Sequence, residues 1–370
     1  MNNIEDIFQV ICIGLAVATF LLNTGRSLKA IAVCKECLNF LLNEVSGKEE
    51  QIFNFLNIAI YKALFKAHFL VNDCMNATKC GWILLDIYRE CSETAKVGIL
   101  ILMLANICEQ QFIYKEARQL YKKGINILRV TGDKKGEAYA YGKCGAMSHH
   151  FAEHDKAKEY LEKALAIKLE IGDRQGEAGC CGILGSLSKS LGKYVKAKEY
   201  FKNVLAIKIE IGDRREEAKG YGNLGTVSIS IGEYGKAKEY LEKALAIIIE
   251  IGDSAGEAVC YANLGTLFQS LGEYEKAKEY LEKALAIKLE IGDRAGEAVC
   301  YANLGTLFQS LGEYEKAKEN LEKALAIRIK ICDRRGEAAD YGNLGTIFQS
   351  LGDYIMTEPK NTLRKHLRSG

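Results

Sequence analysis

His149, His150, Glu153 and His154 place three imidazoles and a carboxylate within six residues, in HHFAEH. A metal site needs such groups to converge on one point. The surrounding pattern puts His149 and His150 at the end of one helical segment and His154 at the start of the next, so the group straddles a turn and does not share a helical face. Cys34 and Cys37 form a C-x-x-C, the spacing used for redox or zinc chemistry, but inside a helical stretch and without a second pair at zinc spacing. Core packing accounts for both thiols. GEAYAYGKC at 136–144 resembles a phosphate loop, yet five residues separate its glycines instead of four, and Cys144 stands where a Ser or Thr should hold magnesium. GEAGCCGILG at 176–185 is glycine-rich, but no strand precedes it, as a dinucleotide site requires. No nucleophile triad and no paired carboxylates in an apolar setting complete the list of chemistries. The expectation is a chain that is not an enzyme and holds no cofactor or metal.

The bulk composition narrows the partners. Among 370 residues, 50 Lys and Arg balance 48 Asp and Glu, a formal net charge of +2. So even a balance argues against a surface built for nucleic acid or anionic membrane. There is one proline, Pro359, outside every periodic segment, which favours an all-helical chain. The 13 cysteines fall mostly at apolar helical positions, as reduced thiols do, and imply a cytoplasmic setting. Residues 7–22 are the only long apolar run. They are short for a spanning helix, contain Gln9 and follow acidic Glu5 and Asp6, so the expectation is a buried first helix with no membrane insertion.

The elements that carry these residues are repeated. Asp133, Asp173, Asp213, Asp253, Asp293 and Asp333 recur every 40 residues, and AGEAVCYANLGTLFQSLGEYEKAKE at 255–279 returns unchanged at 295–319. A fixed period of this size is the signature of stacked supersecondary units. Within one unit, Ala258, Tyr261, Leu264, Gly265 and Phe268 follow helical spacing, Leu271-Gly272 interrupts it, and Ala277, Leu281, Ala284, Leu285 and Leu289 resume it. Each unit is a helix–turn–helix. Gly265 and its counterparts cost about 1 kcal/mol inside a helix, which only a close helix crossing repays. Gly292 suits a left-handed helix end, and Asp293 then caps the next helix. Glu279 with Lys283 and Lys278 with Glu282 are spaced as i,i+4 pairs on an outer face.

The pattern Tyr261, Leu264, Gly265, Phe268, Ala277, Leu281 and Ala284 resembles the tetratricopeptide repeat, with Tyr and Leu in place of the usual Trp and Phe. The period of 40 and the linker GDRAGEA are similar to the longer repeats of the Pins/LGN group of G-protein signalling modulators. The resemblance implies a right-handed superhelical solenoid, with regular repeats over 134–351 and degenerate helical repeats, about three hairpins, over 1–133. Residues 352–370 are read as a divergent, poorly ordered tail: the last first-helix is expected to end near Leu351-Gly352, lacking its partner helix, as in a piece of a longer protein.

In such arrays first helices line the concave side. Opposite the buried face of the first helix lie Val259, Ala262, Thr266 and Gln269, with Asn263 at the margin, and Val299, Ala302, Asn303, Thr306 and Gln309 repeat that rung. Asn223, Thr226, Asn343, Thr346 and Gln349 extend it on either side. The groove is roomy and neutral. Ala262 and Thr266 stand where chaperone-binding relatives carry a carboxylate clamp, which argues against that role. The Asn ladder can bond the backbone of an extended peptide or a neighbouring helix of the array. The expected function is therefore a non-catalytic scaffold whose groove binds an extended peptide or partner protein, in the manner of a G-protein or cell-polarity adaptor. The alternative is a sensor or oligomerisation arm of a larger signalling protein. Oligomeric state is not legible.

Overall fold

A computed structural model describes residues 4–44 and 50–357. Among the described residues the chain is all-α, with seventeen helices and no strand. The helices form two compact units, Met1–Ile183 and Leu184–Gly370.

The first unit contains α1 (Ile4–Asn23), α2 (Ser27–Glu44), α3 (Glu50–Leu70), α4 (Cys74–Glu90), α5 (Thr94–Gln110), α6 (Tyr114–Thr131), α7 (Lys134–His150) and α8 (His154–Glu170). The start of α9 (Arg174–Ser190) completes it. Its core is built around fully buried Leu85, Ile101, Leu104, Tyr121 and Leu128. Helix α1 departs from the expected buried first helix. Ile7, Ile11, Ala18 and Leu22 face the core, while Ile13 and Phe20 are 65% and 62% exposed. Glu5–Asn23 is also the one described helix long and apolar enough to cross a membrane by length and composition.

The second unit takes the rest of α9, then α10 (Tyr194–Ile211), α11 (Arg214–Ser230), α12 (Tyr234–Glu250), α13 (Ser254–Ser270), α14 (Tyr274–Glu290), α15 (Arg294–Ser310), α16 (Tyr314–Lys330) and α17 (Arg334–Thr357). This is the expected solenoid of helical hairpins. Leu264, Leu267 and Phe268 pack with Ala277 and Leu281, and with Leu304, Leu307 and Leu321 of the following hairpin, in one cluster. The close crossing inferred from glycine is present. A Cβ on Gly265 would lie 2.7 Å from Cγ of Leu281 and 3.2 Å from the Ala277 carbonyl oxygen. The last copy, Gly345, meets nothing within 4 Å among the described residues, and Tyr341 and Phe348 on the same helix are exposed. Helix α17 runs through Leu351 and Gly352 to Thr357, past the end anticipated for it, while the remainder of the anticipated tail, 358–370, lies outside the described residues.

The outer-face ion pairs form unevenly. Glu159–Lys163, Glu239–Lys243 and Glu319–Lys323 are closed at 2.6–2.7 Å. Lys283 of α14 instead lies over the Tyr280 ring, 5.4 Å from its centroid.

Candidate functional site

In the second unit the first helix of each hairpin is set by its ends. Asp213, Asp253, Asp293 and Asp333 each accept a backbone amide three residues on, at 2.9–3.2 Å, which satisfies a donor the helix cannot use itself. Capping at a fixed 40-residue spacing keeps α11, α13, α15 and α17 in one rotational register. The same register position therefore faces the same way on each helix.

The anticipated stripe is largely accessible. Val259 and Val299 are 49% and 47% exposed. Asn223, Thr266, Thr346 and Gln349 are exposed, and Thr226, Ala262, Asn263, Gln269, Asn303, Thr306, Gln309 and Asn343 are half-buried. Ala302 departs from the reading as groove floor: it is 8% exposed and belongs to the hydrophobic core of the unit.

Most of the stripe's polar groups bond within the unit. The threonine hydroxyls donate to their own helix, Thr226 to Asn223 O at 3.0 Å, Thr266 to Ala262 O at 3.1 Å, Thr306 to Asn303 O at 2.8 Å and Thr346 to Asn343 O at 2.7 Å. The glutamines reach along the array: Gln269 donates to Ser310 Oγ and Gln309 to Thr346 Oγ1, both at 3.1 Å. The asparagines differ. Among the described residues, the side-chain amides of Asn223, Asn263, Asn303 and Asn343 have no hydrogen-bond partner.

A cavity of about 230 Å³ opens between α11 and α13. It brings together Asn223, Val259 and Asn263 of the anticipated set with Lys219, Gly222 and Asp253, whereas Asn303 and Asn343 belong to rungs farther along. Lys219 was not anticipated, nor was Lys189 at the end of α9. The 40-residue register held the signal for both, since Lys219 occupies the Val259 slot and Lys189 the Gln269 slot. Lys189 donates to Thr226 Oγ1 at 2.9 Å, and burial holds its ammonium below the usual lysine range.

The whole of GEAYAYGKC lies in α7. The His150 ring sits 5.6 Å from that of Tyr114, while His154 opens α8. Cys260 and Cys300 are buried, and burial pushes each thiol up to about 11. In the first unit Lys143, in the slot that Asn263 fills later, is neutralised by Glu109 at 3.0 Å. Glu109 and Asn106 also accept the Tyr121 hydroxyl, at 2.7 and 2.5 Å. That network is closed upon itself.

Comparison with known proteins agrees with this geometry. The profile of the tetratricopeptide repeat matches residues 182–250, 216–290, 261–330 and 297–355. No curated protein is significantly similar to the chain. Among solved structures, a tetratricopeptide repeat protein from Parabacteroides merdae is 15% identical, with a TM-score of 0.58, covering 79% of this chain and 99% of its own. A STAND signal-transduction ATPase with a tetratricopeptide repeat sensor, from Pyrococcus horikoshii, is 20% identical, with a TM-score of 0.56. The match covers 91% of this chain but 52% of the ATPase. A Rap protein complexed with Competence and Sporulation Factor is 17% identical, with a TM-score of 0.50, over 93% of this chain and 99% of its own. At these identities the likeness is one of fold. Residues 182–355 of the chain are tetratricopeptide repeats.

Proposed function

We propose that the first-helix stripe of the Leu184–Gly370 unit binds an extended peptide or protein segment, and that the chain is a non-catalytic interaction scaffold. The observation that carries this reading is the Asn ladder. Thr and Gln around it bond within the unit, yet the four amides, each with donors and an acceptor, have no protein partner among the described residues. An extended backbone offers complementary N–H and C=O groups. A Rap protein of similar fold was solved in complex with Competence and Sporulation Factor, which supports ligand binding by such an array. A cytoplasmic setting belongs to the same reading, with all 13 cysteines as free thiols. The 40-residue period and the GDRAGEA linker extend it to a G-protein or cell-polarity adaptor.

The test is a peptide-display selection on the purified chain, followed by titration of a selected peptide against a variant with Asn263→Ala and Asn303→Ala together. Loss of two or more hydrogen bonds should weaken binding by about tenfold or more. Unchanged affinity, with the helical circular dichroism retained, would reject the groove.

One observation favours a second reading. The matched Pyrococcus horikoshii protein is nearly twice the length of the aligned region, and its repeats are described as a sensor. An array joined to an effector in a longer transcript would make this unit a sensor arm, and sequencing that transcript decides between the two.

A further inference from the structure

Lys189 carries a charge that its structural role does not need. Its Nζ donates to Thr226 Oγ1 on the next first helix at 2.9 Å. The same bridge is made three repeats later by an uncharged amide, where Gln309 donates to Thr346 Oγ1 at 3.1 Å. A glutamine therefore suffices to tie successive first helices together at this position. The ammonium is half-buried, and no carboxylate forms an ion pair with it among the described residues. Partial burial of an ammonium costs free energy that an ion pair would offset. In the second helices of this unit Lys208 and Lys288 have Asp213 and Asp293 at 3.3 and 2.8 Å. An ammonium has three donors, and Thr226 uses one.

The surroundings point outward from the fold. Thr226 has spent its own proton on Asn223 O, so it is a pure acceptor for Lys189. Asn223 lies one turn earlier on α11 with its amide free, and it also lines the cavity shared by Val259 and Asn263. Beside one another, then, are a cation lacking a counter-ion, a free amide and a mostly apolar recess. Farther along, the register position of Lys189 is filled by uncharged Ile229, Gln269, Gln309 and Gln349. The groove is charged at its α9–α11 end and neutral beyond.

Resting on the groove reading above, we infer that the bound segment is acidic at one defined place: an Asp or Glu side chain seats its carboxylate on Lys189, while the adjoining part of the segment meets Asn223 and the recess between α11 and α13. A carboxylate accepts both spare ammonium protons and restores the charge balance that the fold leaves open. The neutral rungs beyond would accept uncharged residues.

The experiment uses the full chain and a random 12-residue peptide library displayed without phosphorylation. Selection is run on the natural chain and on Lys189→Gln, a substitution for which the Gln309–Thr346 bridge shows a fitting geometry. The expected result is enrichment of Asp or Glu at one position on the natural chain and its loss on Lys189→Gln. Replacing that acidic residue by Ala in a selected peptide should weaken binding to the natural chain about tenfold, and to Lys189→Gln less than about twofold. Enriched peptides with no acidic position, or an acidic preference that survives Lys189→Gln, would overturn the inference while leaving the groove in place. If no peptide is enriched on either chain, the groove reading fails and this inference with it.

Discussion

Nζ of Lys288, in the last turn of α14, lies 2.8 Å from Oδ2 of Asp293, while Oδ1 of the same carboxylate accepts the Gly296 amide at 2.9 Å. One aspartate thus caps α15 and neutralises a cation whose side chain is 8% exposed. The glycine is part of the device, because a Cβ at Gly296 would come within 2.6 Å of Lys288 Cδ. Lys168 with Asp173 and Lys208 with Asp213 repeat the arrangement at 2.8 and 3.3 Å. Where Ile248 replaces the lysine, Asp253 pairs with Arg215 from the preceding first helix instead.

Stability should therefore fall in acid. The lysine hydrogen bond, then the backbone amide, hold Asp173 and Asp293 below the usual carboxylate range. A folded-state pKa that is lowered gives a contribution complete above the ordinary value and lost as pH falls through the depressed one. The urea midpoint should be flat from pH 7 to about 5 and drop below about 4. Asp173→Asn with Asp293→Asn should lower the neutral-pH midpoint and flatten the acid limb. An acid limb as steep as that of the natural chain would mean other carboxylates dominate.

The helix crossings predict opposite outcomes for one substitution at two register-equivalent positions. Gly265→Ala forces a methyl onto Leu281 Cγ at 2.7 Å and should destabilise by about 1–3 kcal/mol. Gly345→Ala meets nothing within 4 Å and should stabilise α17 by about 0.5–1 kcal/mol through helix propensity alone. Hydrogen exchange of the two helices separates the effects. Equal destabilisation at both sites would contradict the geometry.

Thiol labelling gives a map of the same packing. Cys91 and Cys332 are exposed, whereas Cys34 is buried with its thiol pushed up to about 12, and Cys260 and Cys300 to about 11. Iodoacetamide at pH 8 reacts with thiolates, so Cys91 and Cys332 should be modified first, and the three buried thiols only after unfolding. Peptide mass spectrometry reads the order directly.

Helix boundaries, caps and the Gly265 crossing were legible because each is a local rule repeated at a fixed spacing. Asp293 and Gly292 announce a helix change, and a glycine inside a helix announces a close neighbour. The burial of Ala302 was not legible, since Ala262 and Ala302 are the same letter in the same slot and differ only in how far the fold covers them. Lys288 was hidden for a related reason: spacing assigns it to a helix end, but only the fold shows that its stem is covered and its ammonium turned onto Asp293. The exposed side of α1 was misjudged because apolar composition reports what a helix could bury, not whether a neighbour is there to bury it. Lys189 and Lys219 are legible in the register only as departures from the repeated Gln and Val, and a repeat pattern defines the common residue at a slot rather than its exceptions.

The second-helix lysine position ends in an exception that can be tested as a pair. Arg328 stands in the Lys288 slot and Asp340 in the slot of Cys300, and their side chains are 10% and 1% exposed. Arg328 Nε and Asp340 Oδ2 are 3.2 Å apart, yet among the described residues neither they nor Asp340 Oδ1 completes a hydrogen bond, and burial raises the Asp340 carboxyl above its usual range. A buried pair of this quality is costly to assemble and worse to break. Asp340→Cys alone leaves Arg328 buried without a counter-ion and should destabilise by about 3 kcal/mol. Arg328→Ile combined with Asp340→Cys installs the combination found at Ile248 and Cys260, which are 3% and 6% exposed. The double variant should be at least as stable as the natural chain, so the cycle shows a coupling of about 3 kcal/mol. Additive losses in urea titrations would show instead that the two side chains act independently, and that the approach of Arg328 to Asp340 contributes nothing to holding α17 on α16.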